Sequence, residues 1–334
     1  MRKVQPFGWL FAVFAVLLFA TGCETTSSSH RVSPAEARAV TPPLASIPYE
    51  QDYGGWITID VMVNGRGPYK FVVDTGATLT AVFAKAAQED IFRPTGGRPR
   101  KILGVTGARF VDPTYVGEIR AGGLYMRDHI GVVIPDWNRE EGTPDGILGL
   151  DFLARYCLVF DAEARRIDFY PADAPPTALL SSMKRTGLKF STFNQRTSGL
   201  YVLDLQISGR RIPAILDLGA NAMLMNYAAM RRMTGGIFVS TMRSMGSRTG
   251  TNLKGVFDDE TRIQSIRTGP VKIAGVTWGR RSMLIHSAAI FRDLGVHRTA
   301  YGLIGADMFE NRHFAIDFRN KRFYLAKDPV AAAP

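Results

Sequence analysis

The sequence predicts an all-β protein of two lobes, built by duplication of one domain. Three observations carry that prediction. The segment "GWITIDVMVNGRGPYKFVVDTGATLTAVF" (55–83) returns as "GLYVLDLQISGRRIPAILDLGANAMLMN" (199–226). The segment "DGILGLDFLARYCLVFDAEARRIDFYPAD" (145–173) returns, in the same order, as "YGLIGADMFENRHFAIDFRNKRFYLAKD" (301–328). Thirty-three glycines and 18 prolines, spread along 334 residues, punctuate the chain into many turns, as short strands require and helical bundles do not.

Taken in order, the chain opens on Arg2 and Lys3 and the uncharged run "PFGWLFAVFAVLLFA". That run has the charged and apolar regions of an export signal and is shorter than a comfortable bilayer span. It ends at Ala20-Thr21-Gly22-Cys23, which resembles a bacterial lipobox, in which the cysteine becomes the lipidated first residue. Leu is usual where Ala20 stands, and Glu24 is not the Asp of the usual inner-membrane retention signal. The resemblance implies a signal peptide over 1–22, a lipid anchor at Cys23, and a cell-envelope location at the outer membrane facing the periplasm. An ordinary cleaved signal and an uncleaved anchor are the alternatives. The Ser, Thr, Pro and Ala-rich stretch up to residue 46 reads as a flexible tether.

The first lobe is expected over 47–172. Alternating apolar residues turn at Asn64-Gly65 and continue into an apolar run that ends at Asp74, the pattern of a β-hairpin feeding a buried strand. Later Ile147-Leu148-Gly149 is followed by Asp151, a short helical stretch, and two strands joined by a charged turn. The Pro-rich stretch at 173–187 reads as the interlobe linker. The second lobe, 188–328, repeats the plan: a turn at Ser208-Gly209, a strand ending at Asp217, then Leu303-Ile304-Gly305 and Asp307. The spacing between the two motifs grows by 13 residues, since 217 − 74 = 143 and 305 − 149 = 156.

Composition excludes several classes. Net charge is +11, but the basic residues come in ones and twos, with no basic helix or aromatic-interleaved patch, so nucleic acid is not an expected partner. The five histidines show no metal-ligand spacing, and no serine-hydrolase elbow or phosphate-binding glycine loop is present, so neither metal nor cofactor is expected. The two cysteines are Cys23 and Cys157. Cys157, in "RYCLVF", reads as a small buried hydrophobe, and no disulfide is expected to hold the globular part together. Asp151 and Asp307 open helical stretches and read as N-caps. Asp161 and Asp317 read as turn residues. Met223, Met225, Met230 and Met233 read as core rather than as a substrate subsite.

Asp74 and Asp217 then stand apart as a pair. Each ends a buried strand on a glycine turn, at equivalent places of two lobes, so the two carboxylates are expected to meet near a pseudo-two-fold axis. Like charges a few ångströms apart cannot both ionise cheaply, and the pair shares a proton over a wide pH range. The ionised member can act as base on a water, while the protonated one polarises a carbonyl and later protonates the leaving amine. Gly76 and Gly219 let the backbone turn tightly behind them.

Asp74-Thr75-Gly76-Ala77, preceded by Phe71-Val72-Val73 and followed by Ile147-Leu148-Gly149, resembles the aspartic peptidases of the retropepsin and pepsin clan. The likeness repeats as Asp217-Leu218-Gly219-Ala220 with Leu303-Ile304-Gly305 and covers roughly 48–328. It implies a bilobal pepsin-like fold, a catalytic dyad of Asp74 and Asp217, and a polypeptide substrate held under a β-hairpin flap. "LGVTGARF", with Gly104, Val105, Thr106 and Gly107 at its tip, is the flap candidate of lobe one, and 244–255 that of lobe two. Leu218 departs from the family, whose members carry Thr or Ser there and bond across to the opposite loop. Two further readings therefore stay open: an inactive relative that binds peptides or protein partners in the same cleft, and a homodimer that pairs two first lobes, although a monomer is the simpler expectation. Ala77 and Ala220 follow the retropepsin pattern, which lacks the hydroxyl usual after the glycine in pepsins. The dyad should then titrate higher than in acid peptidases, with an optimum at about pH 5–7.

Overall fold

Alternation places Ile57, Ile59, Val61 and Val63 on the buried face of strand Ile57–Val63. The two hairpin turns that follow strands of this type are identical in conformation. Asn64 and Gly65 have φ of 49° and 77°, and Ser208 and Gly209 have the same pair of values. Both central residues with positive φ make the turn whose twist matches that of the strands. Asn64 also locks its hairpin into the lobe: its Nδ2 donates to the Val116 carbonyl (2.9 Å) and its Oδ1 accepts from Glu118 N–H (2.8 Å).

The computed structural model describes residues 41–51, 55–87, 92–104, 107–134, 144–193, 199–235, 251–254 and 260–331, with backbone alone at 251–254 and 260–262. In the first lobe strands Ile57–Val63, Arg66–Val73, Gly146–Leu148, Ala81–Phe83, Leu124–Ile134 and Pro113–Ala121 pair in that order. Pairing of Met62 with Arg120 and of Val63 with Ile119 closes them into a barrel. The second lobe repeats the closure with Leu200–Ile207, Arg210–Leu216, Gly302–Ile304, Leu224–Met225, Val276–Ile285 and Glu260–Ile273. Closure removes the exposed edges of each sheet. These are the two duplicated β lobes that the repeats predict, in the bilobal pepsin-like arrangement that the resemblance implies.

A third sheet of six strands joins the lobes, in the order Ala45–Pro48, Arg166–Pro171, Tyr156–Asp161, Phe314–Asp317, Arg322–Leu325 and Lys184–Gly187. At its centre Tyr156–Asp161 and Phe314–Asp317, one from each copy, pair antiparallel, and Phe160 stacks on Phe314 with ring centroids 4.1 Å apart. The stretch expected as a linker thus contributes helix Thr177–Ser181 and an edge strand of this sheet. Asp161 accepts from Ala164 N–H, and Asp317 accepts from the backbone and side-chain amides of Asn320, so both shape turns as expected.

Phenylalanines dominate the core, with Phe71, Phe152, Phe160, Phe169, Phe291 and Phe323 fully buried. Met223, Met225 and Met230 are buried with them as packing. Cys157 is buried, and burial pushes its thiol up to about 12, so it is inert as a nucleophile. Cys23 and the rest of 1–40 lie outside the described residues, and no described helix is long and apolar enough to cross a membrane.

Candidate active site

Each lobe builds its half of the site from the same crossing of strands. Phe71, Val72 and Val73 pair in parallel with Gly146, Ile147 and Leu148, while Ala214, Ile215 and Leu216 pair with Gly302, Leu303 and Ile304 in the same register. The apolar-apolar-glycine motif therefore runs beside the strand that ends at the aspartate. Asp74 N–H donates to the Leu148 carbonyl (3.1 Å) and Asp217 N–H to the Ile304 carbonyl (3.0 Å). Behind each loop the glycine of the motif is obligatory. A Cβ on Gly149 would lie 2.7 Å from the Leu79 carbonyl oxygen, and one on Gly305 would lie 2.6 Å from that of Ala220.

These loops bring Asp74 and Asp217 together within one chain, hydrogen-bonded to each other and partly buried. Asp74 Oδ1 accepts from the N–H groups of Gly76 (2.7 Å) and Ala77 (3.1 Å). Gly219 N–H reaches both carboxyl groups, and Ala220 N–H reaches Asp217. The opposing glycines are the seat of the pair: a Cβ on Gly76 would fall inside the Asp217 carboxylate, and one on Gly219 inside that of Asp74. No residue with a side chain can stand at either position with the carboxylates in place.

Burial raises the pKa of both aspartates. For Asp74 the hydrogen bond from Asp217 and the amides of Gly76, Ala77 and Gly219 oppose that rise. For Asp217 the charge of Asp74 adds to it, and the pKa lies well above the ordinary 3.8. The two carboxyls therefore resist ionising together and share one proton. The sequence expectation of a raised dyad agrees in direction.

Between the lobes, Thr75 is fully buried. Its Oγ1 donates to the Leu216 carbonyl (2.8 Å) and accepts from Leu218 N–H (3.0 Å). Leu218, at the equivalent place, is also fully buried and has no hydroxyl to return those bonds. The cross-lobe grip is present from lobe one and missing from lobe two.

Sequence reasoning misread Asp151. The residue capping helix Leu150–Leu153 is Gly149, with no side-chain cap, and Gly305 takes that place ahead of the turn Ala306–Met308. Asp151 instead turns back to the Asp74 loop. Its Oδ2 accepts from Thr80 N–H (2.8 Å), its Oδ1 from the Thr80 hydroxyl (2.7 Å), and Thr80 Oγ1 accepts from Gly149 N–H (3.2 Å). His129 Nε2 lies 3.3 Å from Asp151 Oδ2, and burial holds its pKa below the ordinary value, so a neutral imidazole faces the carboxylate at pH 7. In lobe two Met223 stands where Thr80 would, and Asp307 Oδ1 is buried with no hydrogen-bond partner among the described residues. Burial pushes Asp307 up to about 6. The signal was in the sequence: the aspartate is repeated, but its threonine is not.

The flap candidate of lobe one is a hairpin of Arg100–Leu103 and Ala108–Val111, closed by a Gly104 N–H bond to the Gly107 carbonyl (2.7 Å). Val105 and Thr106 lie outside the described residues. Phe110 on this hairpin is 71% exposed, and Lys101 Nζ lies 3.6 Å from Asp293 Oδ1 in lobe two, joining hairpin to opposite lobe. Of the lobe-two candidate at 244–255, strand Thr251–Lys254 is described by its backbone and the rest lies outside.

Residues 59–152, which hold Asp74 and its buttress, match the family model of the aspartyl proteases. That stretch of the first lobe is similar to the aspartyl proteases. The solved aspartic proteinase from Irpex lacteus is similar over 84% of this chain and 96% of that one, at 14% identity and a TM-score of 0.49. No curated protein matches the sequence. An aspartic peptidase-like function follows from the family match over the lobe that carries Asp74.

Proposed function

We propose that the protein is an aspartic endopeptidase of the cell envelope, cleaving extended polypeptide held between the two lobes. The observation that supports this most is the proton-sharing contact of Asp74 and Asp217, each carboxylate seated on the opposite loop's glycine. Asp74, anionic and braced by the Gly76 and Ala77 amides, takes a proton from a water between the carboxyls. That water attacks the peptide carbonyl, which the Asp217 proton polarises. The tetrahedral intermediate then collapses as the proton taken by Asp74 passes to the leaving nitrogen, and the cycle ends with one proton on the pair again. Asp74 takes the basic role because its Oδ1 accepts the Gly76 and Ala77 amides, which favour the anion. Activity between about pH 5 and 7 fits a dyad raised in this way.

Attachment through a lipid on Cys23, at the outer membrane, is the location that the leader suggests. A binding role in the same cleft is the second reading, and Leu218 favours it, because half of the cross-lobe grip is missing. One experiment separates them. Wild type, Asp74→Asn and Asp217→Asn are incubated with a denatured protein and a peptide library. Cleavage by wild type alone supports the dyad. Loss in Asp74→Asn only points to pairing of two first lobes. No cleavage by wild type, with peptides retained on the immobilised protein, overturns the peptidase reading.

A further inference from the structure

Lobe two's aspartate loop lacks the supports that Asp151 draws from Thr80 in lobe one: Met223 stands in place of Thr80, and Asp307 Oδ1 has no hydrogen-bond partner among the described residues. A support from the other lobe stands in their place. Trp56, at the start of strand Ile57–Val63, donates its Nε1–H to the Gly219 carbonyl at 2.8 Å. Gly55, beside it, has φ of +81°, and a Cβ there would lie 3.6 Å from Asn221 Cβ. The Gly55-Trp56 segment of lobe one thus lies against residues 219–221 of lobe two. The position equivalent to Trp56 in the second copy is Leu200, which has no donor to return.

We propose that Trp56 is a positioning residue of the dyad, acting on Asp217 through the single peptide group that joins Gly219 to Ala220. The carbonyl of that group accepts from Trp56, and its N–H, on Ala220, donates to the Asp217 main-chain carbonyl (3.2 Å) and also lowers the pKa of the Asp217 carboxyl beside it. A hydrogen bond into a peptide oxygen polarises the group and strengthens what its N–H donates. The indole therefore does two things through one rigid plane. It fixes where Asp217 stands relative to Asp74, and it favours the Asp217 anion. The charged group facing Asp217 is Asp74, and its other partners are the amides of Gly219 and Ala220, so among the described residues no further charge competes with this influence. Lobe one thereby braces the Asp217 loop from its first strand as well as through Thr75.

This rests on the endopeptidase reading for its kinetic consequence, but not for its electrostatic one. Trp56→Phe and Trp56→benzothienylalanine are the probes; the second keeps the indole's shape and puts sulfur where the N–H was, so it folds where Phe leaves a gap. Carboxyl-carbon NMR of Asp217 is titrated in wild type and variants. We expect the Asp217 titration to move upward in both variants, with kcat roughly fivefold lower, as for loss of one hydrogen bond, KM unchanged, and the acid limb of the pH profile moved upward. An Asp217 titration unchanged in the folded variants overturns the proposal. A wild type that cleaves nothing overturns the endopeptidase reading alone, because the NMR titration still decides the role of Trp56.

Discussion

Substituting Asp307 by Asn should stabilise the protein, and by an amount that depends on pH. In lobe one the equivalent Asp151 is filled by Thr80 N–H, the Thr80 hydroxyl and Phe152 N–H. In lobe two Met223 replaces Thr80, and the buried Oδ1 of Asp307 has no partner among the described residues. Burial raises its pKa from 3.8 to about 6, against the opposing charge of Arg281. The folded chain therefore holds the Asp307 proton where the unfolded chain has released it. Stability from this group is full below about pH 4 and is lost as pH rises to about 6. The gap from 3.8 to about 6 is about 2 pH units; at 1.36 kcal/mol each, the ceiling is about 3 kcal/mol. Partial exposure and the nearby arginine reduce this, so a gain of about 1–3 kcal/mol for Asp307→Asn at neutral pH is expected, with little change at about pH 4. Urea denaturation of both proteins at the two pH values reads the difference. An equal effect at both pH values, or a loss at neutral pH, would refute the account of Asp307 as an unpartnered buried carboxyl.

Three further substitutions test the rest of the site. Thr75→Val keeps shape but strands the Leu216 carbonyl and the Leu218 N–H; chemical denaturation should show a loss of about 2–4 kcal/mol, and peptide cleavage should fall with it. Asp151→Ala releases the Thr80 amide and hydroxyl behind the Asp74 loop. A stability loss of about 2–4 kcal/mol is expected there, and a smaller one for Asp151→Asn. Gly219→Ala drives a methyl into the Asp74 carboxylate, so cleavage should vanish while circular dichroism still reports a β-rich fold.

The hairpins and the pairing of Asp74 with Asp217 were legible because duplication writes them twice, and because an apolar run that stops at a carboxylate is a local pattern. Asn64-Gly65 and Ser208-Gly209 carry their turn in their own φ preferences. The buttress was not legible from Asp151 alone. A carboxylate at the head of a helical turn has the same sequence appearance whether it caps that turn or reaches back 71 residues to Thr80. The comparison of Thr80 with Met223 across the copies would have told the two apart. Trp56 was invisible for another reason: its partner is a backbone carbonyl, and a main-chain acceptor leaves no mark in residue identity. The strand Lys184–Gly187 within the linker stretch was not legible, because its pairing is long-range and the Pro-rich flank at 175–176 marks only a break.

The central antiparallel pair of the interlobe sheet, Tyr156–Asp161 against Phe314–Asp317, ties the halves by main-chain bonds within one polypeptide. A site made by two separate identical chains forms only above a threshold concentration, and every substitution in it falls on both sides at once. Tethering removes both conditions, since each half meets the other at a high and fixed local concentration. A leucine at 218 then touches one side only, and a tryptophan at 56 needs no counterpart in the second copy. The sheet beneath the cleft is what lets the two copies drift apart in sequence while they remain halves of one machine.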